Sequence, residues 1–217
     1  MWIRLATATV EENLFELYEQ DGLHMIRVNG LELMNGKCHE SEDLLGRLGA
    51  EITLGDSPEI LVGGLGLGYT LASLIDNLGP ESRITVAELS AAILDWFGRY
   101  TGPALFRRLP ATVSLVNENV AALLGEAARW DLIVLDVDNG PRAFSTPSND
   151  ALYGRTGLRR CWDSLKPGGN LLVWSSFEEP AFIERARSTG FRAQTVPVVI
   201  AERPEPFHFV YRLAKHR

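Results

Sequence analysis

The chain has 217 residues, 46% of them hydrophobic, which is enough to bury the core of one full domain. A net charge of −7 disfavours a nucleic-acid partner, because binding to phosphates requires clustered Lys and Arg. The chain has two cysteines without metal-ligand spacing, which argues against a disulfide framework or a metal site. It has no long apolar run and no signal-peptide pattern, which predicts a cytoplasmic protein without membrane contact.

Residues 1–36 predict a small antiparallel β-unit, because apolar and polar residues alternate there in short runs. The dipeptides Asp21-Gly22 and Asn29-Gly30 separate these runs, and both are typical of tight hairpin turns. A unit of this size is too small to be stable by itself, so it must pack on the rest of the chain or on a second subunit. We therefore expect an N-terminal hairpin unit over 1–36 and a larger domain over 37–217.

Residues 37–217 predict strands that alternate with helices. The strands are unbroken apolar runs, which favours a mostly parallel sheet covered by helices on both faces. No helix separates the last two strands, so we expect them to pair in antiparallel fashion. After a helix over 38–48 and a strand that ends near residue 63, the expected elements are strands over 83–88, 112–116, 131–136, 171–175, 192–200 and 207–213, and helices over 70–78, 90–100 (with Ser90 as its N-cap), 120–129, 151–165 and 180–189.

Four glycines follow the first strand of this sheet, in the segment Ile-Leu-Val-Gly-Gly-Leu-Gly-Leu-Gly. They are Gly63, Gly64, Gly66 and Gly68, and a helix is predicted to begin after them. A turn without Cβ atoms lets the backbone approach a ligand closely, and the first N–H groups of the helix then face that ligand. Because such turns also occur as plain strand-to-helix packing, residues further along the chain must decide between the two.

Polar residues at the ends of the next two strands indicate a nucleoside. Glu88 ends its strand about 20 residues after the last glycine, where a carboxylate accepts hydrogen bonds from both ribose hydroxyls. Glu118 and Asn119 follow the third strand, where a polar side chain can reach the amino group of adenine. The alternatives are a solvated Glu88 and a helix-capping role for Asn119.

Two carboxylates, Asp136 and Asp138, follow the fourth strand in the segment Asp-Val-Asp-Asn-Gly-Pro. A carboxylate at a dry strand end can hold an amine or take its proton, and a second carboxylate nearby raises the pKa of the first. These residue types also favour turns, so a turn-forming role stays open. His39 is either a helix-start or a pocket histidine, and Trp174 belongs either to the core or to the pocket.

These motifs resemble those of the spermidine/spermine synthase family, within the class I S-adenosylmethionine-dependent methyltransferase fold. The resemblance covers nearly the whole chain. It includes the glycine turn and the segments Cys-His-Glu, Val-Ala-Glu-Leu, Val-Asn-Glu-Asn, Asp-Leu-Ile-Val-Leu-Asp-Val-Asp-Asn-Gly-Pro and Leu-Lys-Pro-Gly-Gly-Asn-Leu-Leu-Val. It implies a Rossmann-like α/β sheet, mostly parallel with the last strand antiparallel, beside a small N-terminal antiparallel β-unit. It also implies a homodimer.

The resemblance further implies a donor of the S-adenosylmethionine type, either S-adenosylmethionine itself or its decarboxylated form, with no metal. Asp136, helped by Asp138, would deprotonate an attacking amine. The family has an acidic residue at the position of Gly66, which holds the amino group of the donor, and a glutamine at that of Trp174. The other implied contacts are with the two substrates. Those with the donor come from Gly63, Gly64, Gly66, Gly68, Glu88, Leu89, Glu118 and Asn119. Those with the acceptor come from His39, Glu40 and Trp174.

The sequence therefore predicts a spermidine-synthase-like transferase of polyamine biosynthesis, which moves an aminopropyl group to a polyamine acceptor. The expected partner is a small-molecule amine or another nucleophile. Two alternatives stay open at this stage. One is an S-adenosylmethionine-dependent methyltransferase that acts on a small molecule, and the other is a non-catalytic homologue that binds a nucleoside.

Overall fold

A computed structural model describes residues 1–10, 12–53, 55–125, 128–137, 140–141, 150–200 and 203–216. The N-terminal part forms a four-stranded antiparallel sheet. The predicted turns at Asp21-Gly22 and Asn29-Gly30 are confirmed, since all four residues have positive φ, as tight hairpins require. The homodimer stays a prediction. The strands of this small sheet are β1 (Ile3–Val10), β2 (Asn13–Gln20), β3 (Leu23–Val28) and β4 (Leu31–Asn35).

The rest of the chain forms a seven-stranded sheet with the order β10-β11-β9-β8-β5-β6-β7. Strands β5 to β9 run parallel, and β11 is antiparallel to both of its neighbours, β9 and β10. The predicted α/β class is therefore confirmed. The antiparallel strand is β11, which lies one position in from the edge strand β10. The strands are β5 (Glu59–Gly63), β6 (Arg83–Glu88), β7 (Val113–Asn117), β8 (Trp130–Leu135), β9 (Leu165–Ser175), β10 (Arg192–Ile200) and β11 (Arg203–Ala214).

Helices cover both faces of this sheet. The predicted N-cap is confirmed, because the backbone N–H of Ile93 donates to Ser90 Oγ at 3.2 Å. The helix that begins after Ser90 ends at Trp96, and a π-helical turn, Phe97–Thr101, continues it. The α-helices are α1 (Glu40–Ile52), α2 (Tyr69–Asn77), α3 (Ala91–Trp96), α4 (Pro103–Phe106), α5 (Asp150–Tyr153), α6 (Arg155–Ser164) and α7 (Pro180–Thr189).

Two predicted helices are wrong in extent. Among the described residues of the helix expected over 120–129, the helical part is a 3-10 turn, Val120–Leu123, and the guanidinium of Arg160 donates to the carbonyls of Ala121 and Leu124 at 2.5 Å each. The expected helix over 151–165 is broken at Gly154, whose ψ of 172° is extended.

Two apolar layers, one on each face of the large sheet, form the core. The small sheet contributes Leu17 and Ile26 to the layer that α1 and α2 also cover. The hydroxyl of Ser73 on α2 donates to the carbonyl of Asp43 on α1 at 2.8 Å, so these two helices are joined beside the small sheet. Within the described residues, no helix has both the length and the apolar character that a membrane crossing requires.

Candidate active site

A cavity of about 720 Å³ lies at the carboxyl ends of β5, β6 and β8. The strand order reverses between β5 and β8, and open α/β sheets bind ligands at such a reversal. The volume is typical of small-molecule sites. Residues from both sheets and from α1 contribute to its lining, so the small N-terminal sheet forms part of the same site as the glycine turn.

Gly64, directly after β5, lies close to the backbone that follows β8. Its φ is +92°, and a Cβ at this position would collide with the carbonyl oxygen of Asp136. Gly64 and Gly66 line the cavity, whereas Gly63 and Gly68 do not. A Cβ on Gly63 would meet Val120, and one on Gly68 would meet the ring of Phe97. Two of the four glycines therefore lie at the cavity and two lie at packing contacts, and contact of the turn with a ligand stays a prediction.

Met34 of β4 covers the glycine turn at Gly66. A Cβ on Gly66, where φ is +52°, would lie 2.5 Å from the sulfur of Met34. The backbone N–H of Leu67 also donates to this sulfur at 3.1 Å. The methionine thus lies where a side chain at residue 66 would begin, at the position where the family has its acidic residue. The sequence patterns did not point to Met34.

Glu88 is fixed between the glycine turn and the loop that follows β6. One carboxylate oxygen accepts the N–H of Leu65 at 2.9 Å, and the other accepts the N–H of Ser90 at 2.8 Å. The side-chain amide of Asn117 donates to the carbonyls of Glu88 and Leu89 at 2.9 Å each and so holds this loop. Glu88 and Leu89 both line the cavity. An ionised carboxylate has about four acceptor sites, so these bonds are compatible with an added ribose.

Of the neighbouring residues Glu118 and Asn119, only Asn119 lies at the cavity. Asn119 lines the cavity, and its side-chain oxygen also caps the 3-10 turn by accepting the N–H of Ala121 at 2.8 Å. Glu118 is exposed and does not belong to the lining, and its carboxylate accepts the N–H of Asn119 at 3.0 Å. The predicted adenine contact by Glu118 is thus not supported by its position. Asn119 is the residue of this pair that the fold brings to the cavity.

His39 joins α1 to α2 outside the cavity lining. Its ring stacks on Tyr69, with the ring centroids 4.0 Å apart, and its Nδ1 lies 2.8 Å from a carboxylate oxygen of Asp43. Its position outside the lining does not support the expected substrate contact by His39, which stays a prediction. Glu40, one residue later, lines the cavity and is exposed.

Asp136 follows β8 directly. The residue as a whole is half-buried, and its carboxylate is buried at the cavity wall. Its carboxylate accepts the hydroxyl of Thr70 at 2.7 Å, and its backbone N–H donates to the carbonyl of Gly63 at 2.8 Å. Burial raises the pKa of Asp136 to about 6, although the hydrogen bond from Thr70 opposes this shift. A carboxylate near its pKa at neutral pH is suited to general base catalysis. Asp138 lies outside the described residues.

Glu42 is a second buried carboxylate at this wall, and it was not among the predicted site residues. It lines the cavity from the first turn of α1, on the same helix face as the buried Leu45 and Gly49. Burial, and then the charge of Asp136, raise the pKa of Glu42 to about 7, while the hydrogen bond from Ser41 lowers it. Its helical spacing from Leu45 indicates the buried face of α1, but it does not indicate that this face reaches the cavity.

Trp174 and His208 form the wall next to these carboxylates. Their rings are in contact, with the centroids 4.8 Å apart, and both line the cavity. Within the part of the chain that the structure describes, the buried indole N–H of Trp174 has no hydrogen-bond partner. Nδ1 of His208 lies 3.0 Å from the hydroxyl of Ser41. Trp174 therefore lines the cavity and also packs against an apolar core layer, so its position agrees with both of the roles considered for it.

The described lining of the cavity is acidic. It contains five carboxylates against one lysine and one histidine, and the lysine, Lys37, is exposed. Such a lining favours a cationic ligand, because an opposite charge offsets the cost of keeping carboxylates out of water. The acidic residues are Glu32, Glu40, Glu42, Glu88 and Asp136.

Solved spermidine synthases share this fold. The chain superposes on the spermidine synthase from Thermotoga maritima with a TM-score of 0.77 at 14% identity, over 98% of this chain and 72% of that one. A spermidine synthase in complex with the transition state analogue AdoDATO gives 0.75 at 14% identity, over the same 98% and 72%. A probable spermidine synthase from Corynebacterium glutamicum ATCC 13032 gives 0.69 at 17% identity, over 96% and 79%. No protein-family profile and no curated sequence matches the chain.

Glu42→Gln is expected to change how stability depends on pH. A carboxyl whose pKa is raised by folding stabilises the fold below about pH 4.5, and this contribution is lost as the pH rises through about 7. From about pH 5.5 to about pH 8, the variant should therefore gain about 2 kcal/mol in unfolding free energy relative to the unmodified protein.

Urea unfolding at the two pH values measures this difference. Glu51→Gln, an exposed change on the same helix, is the control and should follow the unmodified protein at both pH values. A pH dependence of Glu42→Gln that equals that of the control would contradict a buried, titrating Glu42.

Proposed function

We propose that the protein is an aminopropyltransferase that uses decarboxylated S-adenosylmethionine and an amine acceptor of the polyamine type. The observation that carries this proposal is the buried carboxylate of Asp136 in an acidic cavity at the strand-order reversal. The shared fold supports it, because two of the solved structures described above are spermidine synthases, one of them in complex with a transition state analogue, and a third is a probable spermidine synthase.

The nucleoside of the donor would lie at the end of the cavity formed by Glu88, Leu89 and Asn119. Glu88 would accept the ribose hydroxyls, and the backbone at Gly64 and Gly66 would allow close approach. These assignments follow the positions of the side chains in the cavity lining. The donor has a sulfonium and an ammonium group, and both positive charges suit this lining.

The acidic lining also favours the decarboxylated donor over S-adenosylmethionine. The methionine part of S-adenosylmethionine includes a carboxylate, which would enter a cavity whose described lining already has five. Like charges at close range are unfavourable, most of all where water is excluded. Removal of this carboxylate leaves a donor with positive charges only, and this donor is the source of an aminopropyl group.

In the proposed reaction, the nitrogen of the acceptor amine attacks the carbon next to the sulfonium. A carbon–nitrogen bond forms as the carbon–sulfur bond breaks, and methylthioadenosine leaves as a neutral thioether. Before the attack, the ammonium form of the acceptor loses one proton to the carboxylate of Asp136, which frees the lone pair that forms the new bond. The raised pKa of Asp136 makes it a stronger base than an exposed aspartate. The protein therefore contributes orientation and proton removal.

Calorimetry with three nucleosides tests the choice of donor. Decarboxylated S-adenosylmethionine and methylthioadenosine should both bind, and S-adenosylmethionine should bind at least about tenfold more weakly than the decarboxylated form. Tightest binding of S-adenosylmethionine would favour a methyltransferase instead. If none of the three binds, the chain is not an enzyme of either kind.

Asp136→Asn should reduce turnover by about 100-fold or more, because the amide cannot accept the proton of the amine. Methylthioadenosine should still bind with nearly unchanged affinity, since the side chain keeps its shape. Asp76→Asn, an exposed change on α2, is the matched control. Equal turnover of the Asp136 variant and the control would remove Asp136 from the mechanism.

Glu88→Ala should weaken the binding of methylthioadenosine by at least about tenfold, or about 1.4 kcal/mol, because the ribose loses its acceptor. Glu118→Ala should change the affinity little, since Glu118 is exposed and outside the cavity lining. Equilibrium binding of both variants, each with an unfolding curve to show that it is folded, decides the point. Losses of the same size would restore Glu118 as a nucleoside contact.

A further inference from the structure

The side chain of Glu42 is buried without a positively charged partner among the described residues. It lies on the buried face of α1, and its residue is only 7% exposed. No ion pair within the described part of the chain includes it, and its carboxylate accepts hydrogen bonds from the hydroxyl of Ser41 and from the backbone of Glu42 itself. Burial of a carboxylate in this way is costly unless a cation joins it. Since the side chain faces an open cavity, a ligand can supply that cation.

A chain of hydrogen bonds from β11 fixes the direction of the Glu42 carboxylate. An ionised carboxylate only accepts, so the single hydroxyl proton of Ser41 is donated to Glu42. The hydroxyl of Ser41 must then accept from His208, whose Nδ1 lies 3.0 Å away and therefore holds a proton. His208 is in turn held against the ring of Trp174. Side chains from three separate elements thus orient one carboxylate at the cavity wall.

Asp136 lies at the same wall, close enough for its charge to affect Glu42. Two buried carboxylates that face one cavity repel each other unless a proton or a cation lies with them. An ammonium group has three donors and one positive charge, so it can bond to both carboxylates at once.

We propose that Glu42, oriented by Ser41 and His208, binds a primary ammonium group of the ligand beside Asp136 and thereby determines which ligands enter. The inference rests on the proposed function, which supplies two ligands with such a group. One is the decarboxylated donor, through its aminopropyl chain, and the other is a diamine acceptor, through the amine that does not react. The assigned role is specificity, and proton removal stays with Asp136.

Met34 explains why this role belongs to α1 rather than to the glycine turn. The methionine fills the space at Gly66 where a side chain would begin, on the turn itself. A carboxylate from that position is excluded as long as Met34 lies there. Glu42 reaches the same cavity from the neighbouring helix, so it provides a negative charge that the turn lacks.

The test compares Glu42→Gln with Glu51→Gln, an identical change at an exposed position on the same helix. Binding of methylthioadenosine, which lacks the ammonium group, should stay within about twofold in both variants, and this also shows that each variant is folded. The first measurement, the donor arm, is the affinity for decarboxylated S-adenosylmethionine divided by the affinity for methylthioadenosine. This ratio should fall at least about tenfold in Glu42→Gln and should not change in Glu51→Gln. For the acceptor arm, putrescine should lose at least about tenfold in affinity for the methylthioadenosine complex, whereas the monoamine butylamine should not.

A loss in either arm supports the inference and identifies the source of the ammonium group. Unchanged affinities in both arms, with methylthioadenosine still bound, would overturn it and leave the proposed function intact. If the unmodified protein does not bind methylthioadenosine, the proposed function fails and the inference fails with it.

Two further variants separate positioning from plain structural support. Glu42→Asp keeps the charge and should recover part of the selectivity that Glu42→Gln loses. Ser41→Ala removes the donor to Glu42, so it should weaken binding of the ammonium ligand more than that of methylthioadenosine. If Ser41→Ala weakened both ligands equally, Ser41 would not act through Glu42.

Discussion

The contact between the ends of β5 and β8 is the constraint on which the site depends. Gly64 has no Cβ, so its backbone lies against the carbonyl of Asp136. The backbone N–H of Asp136 donates to the carbonyl of Gly63, and the hydroxyl of Thr70 on α2 donates to the carboxylate of Asp136. One junction therefore fixes the glycine turn, the start of α2 and the buried carboxylate together. Any larger side chain at residue 64 would separate the strands at the point where the strand order reverses.

The cavity built on this junction has two ends with different physical requirements. At one end, backbone N–H groups hold the carboxylate of Glu88, so its orientation is set before a ligand arrives. At the other end, Glu42 and Asp136 are buried, with raised pKa values and no cation among the described residues beside them. The first arrangement suits a neutral sugar with hydroxyl donors, and the second suits a positively charged nitrogen. A nucleoside with an ammonium group satisfies both.

The parts of this site that follow local rules could be predicted from the sequence. Strand ends mark Glu88 and Asp136, and hairpin dipeptides mark the small sheet. Residues that reach the site from elsewhere in the chain could not be found in this way. Met34 comes from the small sheet and Glu42 from α1, and only the packing of both on the large sheet brings them to the glycine turn. The same holds for the 3-10 turn within the helix expected over 120–129, because the hydrogen bonds to its carbonyl at Ala121 and to the next one at Leu124 come from the distant Arg160.

The most direct test of this account is a single turnover assay with decarboxylated S-adenosylmethionine and putrescine, in which mass spectrometry follows both products. The account predicts equal amounts of methylthioadenosine and of putrescine extended by one aminopropyl group. It also predicts no methylated amine when S-adenosylmethionine replaces the decarboxylated donor. Methyl transfer from S-adenosylmethionine, or no methylthioadenosine from a donor that binds, would contradict it.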